Sequence, residues 1–246
     1  MARIAHRLDD VSLDSPAMVE GFPGVGLVGK IVVDHLIEEL GMVHYANVHC
    51  EALPPVTTYQ PDSNELMTPV RLYADAEHDL LALQSDVPIN PQAATAFADC
   101  LTDWTVSESI LPIYISGLPR QVDEADPELY GVSAGGGIEW LSAAGIDTPT
   151  ERGIVSGPTG ALLAHALDTE TTAVGLIVES DPQFPDPAAA RAVIERGIEP
   201  IAGVDIETAD LTERAGEIKA ARKQLLKRIQ QASEESSRAE PIRMYQ

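Results

Sequence analysis

The segment AMVEGFPGVGLVGKIVVDHLIEELG, residues 17–41, indicates the class of fold because it joins a strand pattern to a helical pattern through a glycine-rich turn. Its first part, AMVEGF, is short and apolar, as expected for a buried strand. Residues 25–40 follow a helical pattern, and Gly41 stands where glycine commonly ends a helix. The segment therefore predicts a strand, a tight turn and a helix in succession.

The same alternation of short apolar segments and helical patterns continues to about residue 200. Further strands are predicted at residues 42–50, 69–75, 80–86, 109–117, 152–157 and 172–180. Further helices are predicted at residues 91–105, 160–167 and 187–199. Strands that alternate with helices favour an α/β fold. We predict a three-layer sandwich over residues 1–204, with a mainly parallel sheet covered by helices on both faces.

The C-terminal region has a different pattern, with apolar residues that recur every three or four positions. They are Leu211, Ala215, Ile218, Ala221, Leu225, Ile229 and Ala232. This spacing predicts an amphipathic helix over residues 205–232. Its apolar stripe either packs back on its own domain or forms a contact between subunits. Residues 233–246 turn to Ser, Glu, Arg and Pro, which predicts a flexible tail.

The charge of the chain restricts its partners. It carries 39 acidic and 16 basic side chains, a net charge of −23. This excess repels nucleic acid and anionic lipid, which are bound mainly through Lys and Arg, so we expect neither as a partner. The acidity is typical of halophilic proteins in a salty cytosol, where screening reduces self-repulsion. A specific basic partner is the alternative interpretation.

The sequence predicts a cytoplasmic protein, because it shows neither a secretory signal nor an apolar run long enough to span a membrane. Its two cysteines, Cys50 and Cys100, form no CxxC motif. The cysteine pattern therefore indicates neither a disulfide framework nor a zinc site.

The glycine turn matches the dinucleotide fingerprint GxGxxG at Gly24, Gly26 and Gly29, and Glu51 follows 22 residues later. Pro23, however, stands directly before the first glycine, where it removes an amide donor and restricts the preceding residue to extended conformations. One hypothesis is therefore an α/β enzyme that binds a nucleotide or dinucleotide here. The other is that small residues let the helix pack tightly on the sheet and on a neighbouring subunit.

Two further small-residue segments occur, SGPTG at residues 156–160 and GGG at residues 135–137. Both are interpreted as flexible turns, because neither contains the GKS or GKT of a phosphate-binding loop. The chain also lacks the HExxH and GxSxG motifs. Asp181 and Asp186 flank a proline-rich loop, in which Asp186 is predicted to cap the next helix. We therefore expect no catalytic residue, no metal site and no cofactor.

The chain ends in Met244-Tyr245-Gln246, an apolar residue followed by a penultimate tyrosine and a free carboxylate at the end of the predicted tail. Three further stretches are informative together: EGFPGVGLVG at residues 20–29, SGPTG at residues 156–160, and the run from DPAAA at residue 186 into the predicted C-terminal helix. In combination they resemble the archaeal branch of the proteasome assembly chaperone family.

The resemblance implies a non-catalytic α/β protein that forms oligomers and binds the α-ring of the proteasome core particle. Met244, Tyr245 and Gln246 then match the hydrophobic-tyrosine-any (HbYX) motif that enters pockets between α subunits. It also implies a homo-oligomer, with a tetramer favoured, or pairing with a paralogue. The weaker candidates for a subunit interface or a structural turn are Phe22, Pro23, Gly24, Gly26, Gly29, Leu211, Ile218, Leu225 and Ile229.

Overall fold

The structure is a computed structural model, and it describes residues 3–8, 11–51, 53–59, 64–120 and 126–213. Ten strands are described: β1 Arg3–His6, β2 Ala17–Gly21, β3 Val43–His49, β4 Thr58–Tyr59, β5 Leu66–Met67, β6 Val70–Asp75, β7 Leu80–Ser85, β8 Leu111–Pro119, β9 Leu129–Ala134 and β10 Ala173–Ser180. The α-helices are α1 Val28–Glu39, α2 Pro91–Ser107, α3 Gly137–Ala144, α4 Gly157–Asp168, α5 Pro187–Val193 and α6 Glu199–Ala202. A 3₁₀ turn, Val25–Leu27, precedes α1, and a π-helical turn, Ile194–Ile198, joins α5 to α6.

The main sheet has eight strands in the order β1-β3-β6-β7-β2-β8-β10-β9. Its centre is parallel, because β7, β2, β8 and β10 all run in one direction. β3 shares that direction, whereas β1, β6 and β9 oppose it at antiparallel pairings. The sheet is therefore mixed but mainly parallel. A separate two-stranded hairpin is formed by β4 and β5.

Helices cover both faces of the sheet and create two hydrophobic cores. Successive residues of a strand point to opposite faces, so Val19 of β2 enters one core and Met18 the other. The core on the first face includes residues of α1, α3, α5 and α6, and we refer to this side as the α1 face. The second core includes residues of α2 and α4, on the side referred to as the α4 face. The predicted three-layer α/β sandwich is confirmed.

The strand predicted at residues 152–157 is wrong. Residues 152–156 have no regular secondary structure, Ile154 is 95% exposed, and α4 already begins at Gly157. The segment has no free strand edge beside β10, whose two neighbours are β8 and β9. β9 and α3 are not predicted from the sequence pattern, and α3 begins at Gly137, within the glycine segment interpreted as a flexible turn.

The chain after Gly203 returns to its own domain on the α1 face. The Ile206 amide donates to a carboxylate oxygen of Glu199, and the Nε2 atom of His35 in α1 lies 2.7 Å from the Glu207 carbonyl oxygen. A helix begins at residue 209, and Leu211 is fully buried in the chain's own core. The other six stripe residues and the last three residues of the chain lie outside the described residues: Ala215, Ile218, Ala221, Leu225, Ile229, Ala232, Met244, Tyr245 and Gln246.

Candidate functional site

The three sequence stretches singled out above meet at one edge of the sheet. The parallel strands β2, β8 and β10 all end there, and the glycine turn, the first turn of α4 and the loop before α5 follow or adjoin their carboxyl ends. In open α/β sheets this edge is where ligands bind. Residues 130 or more positions apart in sequence are thereby brought into hydrogen-bonding contact.

Glu20 lies at the centre of this junction. It is fully buried in β2, on the α4 face. Its Oε1 atom accepts a hydrogen bond from the Phe22 amide at 2.7 Å, and its Oε2 atom accepts from the Ile115 amide at 3.2 Å and the Thr159 hydroxyl at 3.1 Å. One side chain thus links β2, β8 and α4.

The environment of Glu20 favours its neutral form. Burial raises the pKa of Glu20 from 4.5 to about 7, and the three donors oppose this effect only in part. No cation lies within ion-pair distance of its carboxyl group among the described residues. Burial, and secondarily the Glu20 carboxyl, also raise the pKa of Tyr114 in β8. The site therefore contains a carboxyl group whose pKa lies near neutral pH.

Thr159 is positioned by the start of α4, which the sequence predicted to begin three residues later. Gly157 has a φ of 70°, and Pro158 occupies the first turn of the helix. Backbone amides in the first turn have no acceptor within the helix, so the amide hydrogen that proline lacks costs no helical hydrogen bond. A Cβ atom on Gly160 would lie 2.4 Å from the Val155 carbonyl oxygen, so only glycine fits. The residues of SGPTG thus form the helix start that holds the Thr159 hydroxyl against Glu20.

The glycine turn is packed against the chain itself. Gly26 has a φ of 61°, and its carbonyl oxygen accepts from the Asp186 amide at 2.8 Å. A Cβ atom at Gly26 would lie 1.9 Å from the Ser180 Oγ atom, and one at Gly29 would lie 3.2 Å from the Phe22 carbonyl oxygen. The space that a pyrophosphate would need beside Gly26 is thus filled by the loop between β10 and α5.

Asp186 joins the third stretch to the other two. Its carboxylate accepts from the Ala189 amide, which confirms the predicted helix cap, and from the Asp181 amide and the Ser180 hydroxyl. Because its own amide donates to Gly26, the cap of α5 and the glycine turn hold each other in place.

The remaining turn residues differ in exposure. Phe22 is buried on the α4 face, where its ring meets that of Phe97 edge to face with centroids 5.5 Å apart. Pro23 is half-buried and Gly24 is exposed. Of the five turn residues named as interface candidates, Phe22, Gly26 and Gly29 are therefore buried within this chain, whereas Pro23 and Gly24 reach the surface.

A cleft with a volume of about 980 Å³ opens at this edge. Residues 149–156 form one wall, and Gly24, Leu118 and Tyr130 contribute to the others. Phe22, Ile115 and Thr159, the three donors to Glu20, also line the cleft, whereas Glu20 lies beneath it. Glu20 is therefore hydrogen-bonded to three residues that line the cleft.

The sequence analysis did not assign a role to Glu20. A single acidic residue in an otherwise apolar central strand is the signal that identifies it, because a buried carboxyl group requires donors from other elements. No group of His, Cys, Asp and Glu in the described part of the chain is arranged to hold a metal ion. Among the described helices, none is both long and apolar enough to cross a bilayer.

Comparison with protein families matches residues 18–226 to the family described as the PAC2 family. The uncharacterized protein MJ0106 of Methanocaldococcus jannaschii is 26% identical over 195 residues, which cover 75% of each chain.

Two solved structures from Pyrococcus furiosus share the fold. PbaA, described as an archaeal homolog of proteasome-assembly chaperone, aligns with a TM-score of 0.77 and 20% identity over 96% of this chain and 95% of its own. PbaB, described as an archaeal proteasome activator, aligns with a TM-score of 0.73 and 22% identity over 92% of this chain and 98% of its own.

Proposed function

The chain belongs to the PAC2 family, and on that premise we propose that it binds the proteasome core particle as an assembly chaperone, an ATP-independent activator, or both. The family match and the shared fold support this proposal. The fold is common to a proteasome-assembly chaperone homolog and a proteasome activator, and each aligns over more than nine-tenths of this chain. We further propose that it acts in the cytoplasm without catalysing a reaction.

We propose that Met244, Tyr245 and Gln246 dock in pockets of the α-ring. The Met244 side chain fills an apolar groove, and the Tyr245 ring inserts while its hydroxyl finds a buried partner. The terminal carboxylate of Gln246 pairs with a lysine of the pocket.

A single tail of this kind binds weakly, because ordering residues 233–246 costs conformational entropy. Several tails on one homo-oligomer raise the effective concentration and convert weak contacts into avidity. We therefore propose a homo-oligomer, with a tetramer favoured, or a complex with a paralogue. A monomer in light scattering at working salt would contradict this part of the proposal.

The alternative function, a nucleotide-binding enzyme, would use the same glycine turn. The contacts of Gly26 with Ser180 and Asp186 favour a packing role for this turn instead. We expect NAD, NADP, ATP and ADP to leave the melting temperature unchanged. A ligand present at 100 times its dissociation constant stabilises by about 2.7 kcal/mol, so a clear upward shift with any of the four supports the enzyme.

The decisive experiment compares the full chain with variants of its last three residues in a pull-down of the cognate core particle. Deletion of residues 244–246, or extension beyond Gln246, is expected to abolish binding and any stimulation of peptide hydrolysis. Tyr245→Ala is expected to cost on the order of 2 kcal/mol per tail, because a buried aromatic anchor is lost. Gln246→Ala retains the terminal carboxylate and is the matched control, expected to bind normally.

All variants are compared at one salt concentration, because association of so acidic a protein depends strongly on ionic strength. If the truncated chain binds and stimulates as well as the full chain, docking through the tail is refuted. If neither form binds the core particle, the proteasome-related function itself is refuted.

A further inference from the structure

Cys50 and Cys100 are separated by 50 positions in sequence, yet their sulfur atoms lie 3.1 Å apart. Cys50 directly follows β3, and Cys100 lies within α2 on the α4 face. A disulfide bond is about 2.05 Å long, so the two thiols need to approach by only about 1 Å to be joined. The sequence pattern gave no indication of a disulfide because it contains no information on this proximity.

The two thiols are accessible to a small reagent. Both residues are half-buried, and both line a cavity of about 530 Å³. The acidic residues around this cavity are Glu51, Asp99, Asp103 and Glu108. Their charge repels anionic reagents and attracts cationic ones.

We propose that Cys50 and Cys100 form a reversible intramolecular disulfide by exchange with a small cationic disulfide. The bond would join the end of β3 to α2 and close a loop that contains the β4–β5 hairpin, β6 and β7.

The exchange proceeds in two balanced steps. The Cys50 thiol releases its proton and attacks one sulfur of the reagent, so that a mixed disulfide forms, the reagent's sulfur–sulfur bond breaks, and the first leaving thiolate takes up a proton. The Cys100 thiol then releases its proton and attacks the Cys50 sulfur, which expels the second thiolate to be protonated in turn. Two protein thiols are oxidised and one reagent disulfide is reduced to two thiols, with no other oxidant.

The order of attack follows from the surroundings of Cys100. Burial, and then the neighbouring Cys50, raise the pKa of the Cys100 thiol to about 11. Cys100 therefore keeps its proton at neutral pH and is assigned the second attack. In that step the short distance to the Cys50 sulfur compensates for the small fraction of Cys100 that is present as thiolate.

The test treats the reduced full chain with cystamine, a cationic disulfide, and measures intact mass, free thiols and non-reducing peptide maps. The expected product is a monomer two hydrogen atoms lighter, with the Cys50 and Cys100 peptides linked and no free thiol. Cys50→Ser and Cys100→Ser are the matched variants: Cys100→Ser is expected to stop at a mixed disulfide on Cys50, and Cys50→Ser to form its mixed disulfide more slowly, because the Cys100 thiol keeps its proton. A wild-type chain that retains two cystamine adducts, or links only between chains, overturns the proposal.

Two further measurements complete the test. The oxidised chain is expected to melt roughly 5–10 °C higher than the reduced chain, because the bond restricts the unfolded state. An oxidised wild type that melts below the reduced wild type would show that the folded protein cannot hold the bond without strain, which overturns the proposal. The melting temperatures of the reduced serine variants, compared with that of the reduced wild type, report separately on folding.

The reagent class is tested by replacing cystamine with the anionic 3,3′-dithiodipropionate. At low salt we expect a rate lower by on the order of tenfold, because the acidic cavity repels it. High salt should reduce this difference by screening. An anionic reagent that reacts as fast as cystamine at low salt overturns the assigned reagent class.

Discussion

Two fully buried ionisable side chains, Arg71 and Glu20, lie near the same edge of the sheet but on opposite faces. Arg71 of β6 pairs in register with Gln84 of β7, which in turn pairs with Gly21, the neighbour of Glu20 in β2. Arg71 is 2% exposed and Glu20 is 0% exposed. The burial is the same, but the partners of the two groups differ.

Arg71 is surrounded by acceptors and has a counter-charge. Its guanidinium donates to the Tyr73 and Thr58 hydroxyls, the Thr68 carbonyl, Gln84 and Asp86, and the Asp86 carboxylate lies 2.6 Å away. Because Thr58 belongs to β4 and Thr68 follows β5, Arg71 anchors the small hairpin on the main sheet.

Among the described residues Glu20 has three hydrogen-bond donors but no counter-charge, so burial dominates and its pKa rises to about 7. A buried side chain that has a counter-charge stays ionised and can hold neighbouring segments together. A buried acid that has only neutral hydrogen-bond donors has a raised pKa and can gain or lose its proton near neutral pH. Glu20 is therefore a buried acid with a raised pKa that links β2, β8 and α4, whereas Arg71 is a buried cation that anchors the β4–β5 hairpin.

The largest effect is expected for Arg71→Met, which removes the cation and the hydrogen bonds that it donates to the Thr68 carbonyl, Gln84 and Asp86. Loss of one partner of a buried pair costs about 4 kcal/mol of the unfolding free energy. Arg191→Met is the matched control, since Arg191 is partly exposed and lies 3.6 Å from an exposed Asp126. Chemical denaturation measures both, and a loss below 1 kcal/mol for Arg71→Met would show that the pair is not an anchor.

The second prediction concerns pH. Below pH 4.5 both the folded and the unfolded states hold the Glu20 proton, and between pH 4.5 and about 7 only the folded state holds it. Raising the pH through this window therefore lowers the unfolding free energy by roughly 3 kcal/mol, since one unit of pKa corresponds to about 1.4 kcal/mol. Glu20→Gln removes this group's contribution.

The measurement is the difference in unfolding free energy between wild type and Glu20→Gln from pH 4 to 8, at constant salt. This difference should fall as the pH rises and level off above pH 7. A difference that stays constant would mean that folding does not raise the pKa of Glu20, and one that grows with pH would mean that folding lowers it.

A smaller effect separates packing from backbone strain in the glycine turn. Gly26→Ala introduces a Cβ atom at a φ of 61° that would contact Ser180, whereas Gly41→Ala introduces one at a φ of 58° with nothing within 4 Å. The left-handed conformation costs about 1 kcal/mol in both. We expect Gly26→Ala to lose about 2 kcal/mol more, because the β10–α5 loop must move. Equal losses of unfolding free energy in the two variants would show that the β10–α5 loop moves aside at no cost.

The smallest effect is expected for Thr159→Val, which keeps the side-chain shape and removes the hydroxyl donor to Glu20. The loss of one hydrogen bond to a buried carboxyl group is expected to cost about 1 kcal/mol. It should also raise the Glu20 pKa further, so that the pH-dependent fall begins at the same pH and extends higher. The same pH series measures it, and an unchanged midpoint would contradict the role assigned to Thr159.

Much of the fold follows from local sequence, because hydrophobic periodicity and helix-ending residues act over a few positions. The segment at residues 17–41, the succession of most central strands and helices along the chain, and the cap at Asp186 could be predicted for this reason. The strand predicted at residues 152–157 failed because a short apolar run does not reveal whether a sheet edge is free for it.

The sequence by itself determined the α/β class, the acidic character and the resemblance to a proteasome-related family. Only the tertiary structure decided that Glu20 meets Thr159, that Gly26 meets Asp186 and that Cys50 meets Cys100. The physical reason is that local pattern specifies which residues are buried and in which element, whereas the identity of distant neighbours depends on strand order and on the packing of whole helices against the sheet.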